Sequence, residues 1–534
     1  MADIKLTRSG KTLSAAVGSR LSDVLTAAAL PLPCGGNGKC GKCRVFASGR
    51  LSPPSETEKE LLTESELRSG VRLACRTVIE GDCQVDLPGP AQPGDPGETV
   101  LTEGKRISFS VPAPPFDGFG AAVDIGTTTL AAKLYDRSGR ETASFGCLNP
   151  QSAFGADVIS RAEKASLGKA DEMRALILNR IDGILLSLAS RVSNAGTRTE
   201  NAGGKRDEAS AIGKINQIVI TGNTAMLCLL TGDSTLPFLA APFEAKRLFG
   251  ETLTAADLGL HSVRPETEIF LPPCVSAFVG ADTVCALLAS GITDKNETAL
   301  LADLGTNGEM ALWHAGKLTV CSTAAGPAFE GVGISQGMTG SPGAIDRVAL
   351  ENGILHARVI GDGTAAGICG CGLIDAAACL LEAGAVDESG YLENDPVFLT
   401  DRVLLTGKDI RALQLAKSAV CAGMLTLLRD AGITEKDVSS LLIAGGFGTR
   451  LNGENAERIG LIPEGLAART TALGNAALDG AAALLLDRTL RGKAAALARH
   501  AVNTDLSSDR RFSDAFIFGM ELSPQSVKRL TDEQ

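Results

Sequence analysis

Ala121-Ala122-Val123-Asp124-Ile125-Gly126-Thr127-Thr128-Thr129 and Leu300-Leu301-Ala302-Asp303-Leu304-Gly305-Thr306-Asn307-Gly308-Glu309 are two copies of one phrase. Each is an apolar strand ending in Asp, then an apolar residue, Gly-Thr and the start of a second strand. A turn and a third strand follow both times, at Ser138-Gly139 and at Ala315-Gly316. Later in each copy another apolar strand enters a loop of small residues: Ile218 to Asn223 in the first, Leu441 to Gly448 in the second. Two matched features in the same order make coincidence a poor explanation. The pattern predicts two duplicated α/β halves, residues 116–296 and 297–488, with a ligand cleft between them.

An Asp-x-Gly-Thr turn behind a strand suits phosphate. Gly126 lets the backbone come close, and Thr127, Thr128 and Thr129 offer hydroxyl and amide donors. Asp124 at the strand end is placed to hold Mg2+ through water, because magnesium gives up its hydration reluctantly. Asp303, Gly305, Thr306 and Asn307 would do the same from the facing half. One such turn alone reads as an ordinary hairpin; two, with a late Gly445-Gly446-Phe447 loop, predict ATP. Gly445 and Gly446 leave room for adenine and ribose, with Phe447 packing nearby. Gly326 opens a further loop, Gly326 to Gly331, and counts among the nucleotide-binding residues. Glu309, just past the second turn, and Glu330, in that loop, join Asp124 and Asp303 as candidate catalytic acids that orient water or metal. A solvated or helix-capping carboxylate is the alternative for both glutamates, and sequence proves no general base, since geometry comes before pKa.

The N-terminal 88 residues carry a different signal. Cys34-Gly35-Gly36-Asn37-Gly38-Lys39-Cys40-Gly41-Lys42-Cys43, followed by Cys75, gives four thiols spaced by five, two and thirty-one residues. Four thiolates hold a [2Fe–2S] centre, and the glycines let amide N–H groups aim at the sulfurs. Structural zinc also takes four Cys, but its knuckles pair two short hooks, whereas here three Cys share one glycine-rich loop. Cys83 falls outside the pattern and reads as a buried or edge-strand thiol. Around the motif, Ile4–Leu6 and Thr12–Ala16 read as a hairpin, and Ser22 as the cap of a helix reaching Ala29. Ser55 to Glu58 has capping-box spacing, and Val71–Ile79 and Gln84–Leu87 read as strands. The order suggests a β-grasp. Seven Pro between Pro88 and Pro115 make residues 89–115 a Pro/Gly-rich linker, about 30 Å long as a coil and about 90 Å fully extended.

Composition narrows the partners. The 534 residues carry a net charge of −11 and only 4% aromatics, which argues against nucleic acid. Apolar runs such as Ala481–Leu486 meet a charge early, so no membrane span is expected. The N-terminus lacks an apolar signal core, so a cytoplasmic protein is expected, its 14 Cys serving as metal ligands or reduced core residues. Asn194 to Ser210 reads as an exposed loop, residues 489–534 as a C-terminal segment, and Cys369, Cys371 and Cys379 as core cysteines.

The cysteine loop resembles that of adrenodoxin-type ferredoxins over residues 1 to 88, which implies Cys34, Cys40, Cys43 and Cys75 as ligands. Residues 117 to 490 resemble the ASKHA superfamily of acetate and sugar kinases, heat-shock seventy-type chaperones and actin, which implies ribonuclease-H-like halves. The whole chain resembles the ATP-dependent reductive activators of corrinoid proteins. Asn149-Pro150-Gln151 with Gly155, Asp157 and Arg161, Gly222-Asn223-Thr224, and Gly326 to Gly331 running to Gly337-Met338 also match that family. The resemblance implies a multidomain α+β and α/β chain that reduces Co(II) to Co(I) in the corrinoid protein of a methyltransferase system. It also implies a low-potential electron donor and a homodimer formed through the C-terminal half. Other readings are an ASKHA small-molecule kinase with a redox-sensing ferredoxin domain, an activator of a radical enzyme, and an ATP-gated docking protein.

Overall fold

The computed structural model describes residues 1–7, 12–25, 36, 38, 41, 43–62, 64–86, 102, 114–195, 211–446 and 450–524. The chain divides into two compact units, residues 1–95 with 148–177 and residues 96–147 with 178–534. Almost all of the predicted linker, and the exposed loop from residue 196 onward, lie outside the described residues.

The first unit holds a five-stranded sheet of β1 (Ala2–Leu6), β2 (Thr12–Ala15), β3 (Arg44–Leu51), β4 (Val71–Leu73) and β5 (Ile79–Asp86), ordered β2-β1-β5-β3-β4. The hairpin β1–β2 is antiparallel, and β1 pairs with β5 in parallel. Strict alternation in β1 turns Ala2, Ile4 and Leu6 into the core, and β5 adds Ile79, Cys83 and Val85. Cys83 is therefore buried, but on the central strand rather than an edge.

Two local expectations are corrected. The helix begins at Leu21 and is described to Leu25, so Ser22 sits inside it and does not cap it. Val71–Ile79 is not one strand: the chain turns after Leu73 and resumes at Ile79, which leaves Cys75 in the turn. The capping box at Ser55 forms, with Ser55 Oγ accepting from the Glu58 N–H. Glu58 does more than cap. Its buried carboxylate accepts from Arg72, the Leu73 N–H and the Thr77 hydroxyl at 2.9–3.1 Å, so it organises the turn that carries Cys75. Farther on, Asn149 accepts from the Gln151 N–H, Asp157 caps Val158–Lys164, and buried Arg161 donates to the Gly155 carbonyl.

The second unit contains the duplication. Its first sheet consists of β6 (Phe119–Ile125), β7 (Thr129–Asp136), β8 (Glu141–Leu148), β9 (Ile215–Gly222), β10 (Glu251–Thr254) and β11 (Glu268–Leu271), ordered β10-β11-β9-β6-β7-β8. The second begins with β12 (Ala299–Leu304), β13 (Gly308–His314) and β14 (Lys317–Thr323). An insertion then carries β15 (Ala344–Glu351), β16 (Ile354–Val359) and β17 (Gly367–Ile368) as a small sheet, and β18 (Val397–Phe398) with β19 (Leu404–Leu405) as a ribbon. The sheet is completed by β20 (Ser440–Ala444), β21 (Thr470–Gly474) and β22 (Val502–Asn503), ordered β21-β20-β12-β13-β14-β22. Five strands correspond between the sheets, and the sixth is added at opposite edges.

The halves exchange helices. Ala476–Leu486 follows β21 of the second sheet but packs on the first, burying Leu478, Ala481 and Leu485 with Ala122, Ala131 and Val219. A buried ion pair fastens it, Lys133 Nζ to Asp479 Oδ1 at 2.7 Å. Ala281–Ser290 follows the first sheet and places Ala286 and Leu287 beside Ala299, Leu301 and Val320 of the second. The helix Gly407–Asp430 is long and apolar enough to cross a membrane, with mean hydropathy 1.2, contrary to the sequence expectation. Of its most apolar 18-residue window, 78% is buried in the second half's core, which accounts for its apolar character.

Candidate functional site

The pseudo-symmetric strand ends build the cleft. β6 pairs with β7 and β9 so that Asp124 lies opposite Ala131 and Thr221; β12 pairs with β13 and β20 so that Asp303 lies opposite Glu309 and Ala444. Gly222 ends β9 and Gly445 follows β20 at matching places. A Cβ on Gly222 would meet the Ile125 carbonyl at 2.7 Å, and one on Gly445 the Leu304 carbonyl at 2.4 Å. Only glycine lets each neighbouring strand pass so close to its phosphate turn.

Asp124, Gly126, Thr127, Thr129, Asp303, Gly305, Thr306, Asn307, Glu309, Glu330, Gly445 and Gly446 all line one cleft of about 660 Å3, open solvent included. Glu330 bridges the repeats: Thr128 Oγ1 donates to it at 2.8 Å and Thr306 Oγ1 also donates to it, the two hydroxyls being 3.1 Å apart. Gly326 lies behind the second turn, its N–H donating to the Thr306 carbonyl at 2.8 Å. Phe447 lies outside the described residues.

Three side chains not picked out as site residues from sequence also face the cleft. Asn223 donates to Thr127 Oγ1 at 3.0 Å, and Asn475 to Asp124 Oδ2 at 3.0 Å. Each caps a helix, Thr224–Thr231 and Ala476–Leu486 respectively. Their shared signal was present: Gly222-Asn223-Thr224-Ala225 and Gly474-Asn475-Ala476-Ala477 are both strand-end glycine, Asn cap, helix. Asp282, in the first turn of Ala281–Ser290, is the third.

Among the described residues, five carboxylates and no basic side chain line the cleft. Burial is the main cause that raises Asp124 to about 7, Asp303 to about 8 and Asp282 to about 6. Mutual repulsion adds to this for Asp124 and Asp303, while Asn475 partly relieves Asp124. Glu309 is likewise pushed well up, first by burial and then by Asp282 and Asp303. Such a cleft accepts phosphate only in company with cations, its own donors being hydroxyls, amides and helix N-termini.

In the first unit, Cys43 and Cys75 are buried with their sulfurs 3.2 Å apart. That is too long for a disulfide of about 2.05 Å. It approaches the roughly 3.7 Å that a tetrahedral metal with bonds of about 2.3 Å sets between two thiolates. The pair fits two ligands of one iron. Cys34 and Cys40 lie outside the described residues.

Comparison with known proteins agrees. Residues 4–80 match the model of the 2Fe-2S iron-sulfur cluster binding domain, 119–295 the RACo middle region, and 297–532 the C-terminal domain of RACo, the ASKHA domain. The corrinoid activation enzyme RamQ of Eubacterium limosum is 30% identical, over 93% of this chain and 95% of that protein. The chain belongs to the reductive activators of corrinoid proteins. Another relative in this family is the [Co(II) methylated amine-specific corrinoid protein] reductase of Methanosarcina barkeri, 27% identical over 70% of each chain. A solved family structure, a reductive activator for a corrinoid, iron-sulfur protein, covers 98% of both chains at 26% identity and a TM-score of 0.69. The fold is thus a ferredoxin domain followed by an ASKHA domain, with a [2Fe–2S] cluster and nucleotide as the bound groups.

Proposed function

We propose that this chain uses ATP binding and hydrolysis to pass one electron from its cluster to the Co(II) of a corrinoid protein in a methyltransferase system, giving nucleophilic Co(I). The observation that carries the reading is the cleft, where hydroxyls of both repeats meet on Glu330 amid buried acids. The divisions at residues 88, 115, 296 and 488 belong to this reading, as do a low-potential electron donor, a cytoplasmic location and a homodimer.

When bound, the [2Fe–2S] cluster supplies electrons one at a time. Cys43 and Cys75 would share one iron, and Cys34 and Cys40 the other. Asp124 and Asp303 would hold Mg2+ through water and shed their protons on doing so. Thr127 to Thr129, Thr306 and Asn307 donate to phosphate oxygens, and Gly445 and Gly446 leave space for the nucleoside. Glu330 releases the two threonine hydroxyls to phosphate and then orients the attacking water. A cobalt couple about 100 mV below the cluster makes transfer roughly fiftyfold unfavourable. Differential affinity of two conformations for partner and nucleotide must supply that difference.

Incubating the reduced, cluster-loaded chain with a Co(II) corrinoid protein, with and without Mg-ATP, tests the proposal through the cobalt spectrum. ATP-dependent Co(I) is expected. ATP turnover without Co(I) across several corrinoid partners would redirect attention to kinase or radical-enzyme chemistry.

A further inference from the structure

Next to the nucleotide cleft lies a second pocket, of about 590 Å3 with open solvent included, that shares Thr129, Glu330 and Gly446 with it. Thr129 follows the first phosphate turn, and Glu330 accepts from the hydroxyls of Thr128 and Thr306. The two pockets therefore join at the phosphate end of the cleft. The join is closely packed: a Cβ on Gly370 would sit 2.2 Å from the carbonyl of Phe329, the residue before Glu330. Among the described residues, the cleft has no basic side chain to set against its five carboxylates, whereas the second pocket has one, Arg450.

Arg450 follows Gly446 by four residues, and its side chain is 32% exposed. Its Nη1 donates to Asp346 Oδ2 at 2.7 Å, the one bond its guanidinium makes among the described residues. A guanidinium carries five N–H donors in a planar fork that suits phosphate, so most of this one's donors are uncommitted. Asp346 does not depend on it. Arg358, on the neighbouring strand of the small sheet, donates to both Asp346 oxygens at 2.9 Å each. Burial resists the charge on Asp346, but bonds from Arg358 and then Arg450 hold it below the usual carboxylate range. The buried carboxylate thus keeps a two-pronged partner when Arg450 lets go.

We propose that Arg450 is a catalytic cation of ATP hydrolysis: its guanidinium leaves Asp346 to Arg358 and takes the terminal phosphate where the two pockets join. The inference rests on the nucleotide reading above. In the step, the oxygen of a water bonds to the terminal phosphorus and the bond to the bridging oxygen breaks. ADP leaves with that electron pair, and both water protons go with the phosphate. Charge is spread over the terminal and bridging oxygens as the step proceeds. The carboxylates of the cleft oppose that charge, and a forked guanidinium offsets it. Lysine would bring the charge without the fork.

The test uses the full, cluster-loaded chain with its cluster oxidised, and compares it with Arg450→Ala. Mg-ATP turnover at saturation should fall at least about 100-fold, with KM changed less than about threefold. Calorimetric titration gives a second readout. Mg-ADP alone should bind the variant within about twofold of the original chain, whereas aluminium fluoride added with Mg-ADP, as a mimic of the phosphate in transfer, should bind at least about tenfold more weakly. Should Arg450→Ala fail to fold, Arg450→Lys carries the test, with turnover down at least about tenfold and Mg-ADP binding intact. Unchanged turnover overturns the inference. So does an equal weakening of Mg-ADP and aluminium fluoride, which marks a structural role. An original chain that turns over Mg-ATP while its Arg450 variants do so equally well sinks this inference alone; an original chain that neither binds nor turns over Mg-ATP sinks the nucleotide reading and this inference with it.

Discussion

Asp303 concentrates the electrostatic cost of the cleft. It, Asp124 and Asp282 titrate above the ordinary Asp value, so the folded chain binds more protons than the unfolded chain between about pH 4 and pH 8. Stability without ligand should fall as pH rises through that window. Asp303→Asn removes part of this cost. Its melting temperature, read by calorimetry, should rise by about 2–4 °C at pH 8 and stay unchanged at pH 4. Mg-ATP turnover should fall at least about 100-fold. Glu330→Gln keeps the bridge's size and removes its charge. Turnover at saturating ATP should drop about 100-fold while KM moves little, the pattern of a group that acts in the transition state. The repeated Asp-x-Gly-Thr turns were legible as a repeat, because the same residue types recur in the same order at matching strand ends. Asp282 and Asn475 were not singled out, because they reach the cleft from helices placed by tertiary packing. The bridging role of Glu330 likewise depends on two turns 178 residues apart.

At the scale of the element, turns are where sequence reading succeeds or fails. Gly445 has φ +117° and faces the Leu304 carbonyl, so Gly445→Ala should cost at least about 1–2 kcal/mol in denaturant unfolding and weaken nucleotide binding by titration. Glu58 is the counterpart in the ferredoxin sheet. Burial resists its charge, but bonds from Arg72 and the Ser55 and Leu73 N–H groups hold it below the usual carboxylate range. Glu58→Ala leaves Arg72 buried without its partner, at a cost of about 3–5 kcal/mol. The visible absorbance of the cluster should then decay faster. Ser55→Ala should cost only about 1 kcal/mol and leave the cluster intact. The run Val71–Ile79 looked continuous because its apolar residues suit a strand, yet the Glu58 carboxylate draws Leu73 N–H and Thr77 into a turn. No local pattern announces a turn enforced from fifteen residues upstream. Ser22 was a plausible cap on residue type alone, but the helix already includes Leu21.

For the whole molecule, the presence of a ferredoxin part ahead of an ASKHA part was legible in the cysteine spacing, and the duplication in its repeated motif. The exchange of helices was not, since Ala476–Leu486 is apolar apart from Asp479 and its pattern suits either sheet. Deleting residues 89–98 should leave the cluster spectrum and basal ATP turnover unchanged and slow cobalt reduction about tenfold or more, followed in a stopped-flow spectrometer. Undiminished reduction would show that the length of this stretch does not govern electron transfer from the cluster to cobalt.

The exchanged helix also bears on synthesis. The first sheet is finished once Leu271 has left the ribosome, yet its apolar face over Ala122, Ala131 and Val219, partly covered by Val284 and Cys285, lacks the rest of its cover until Leu486 follows. At about 5–20 residues per second that interval lasts roughly 10–40 s. The first half of the nascent chain thus keeps part of an apolar face uncovered for much of its synthesis. The same interlock means that neither half, expressed alone, should be soluble.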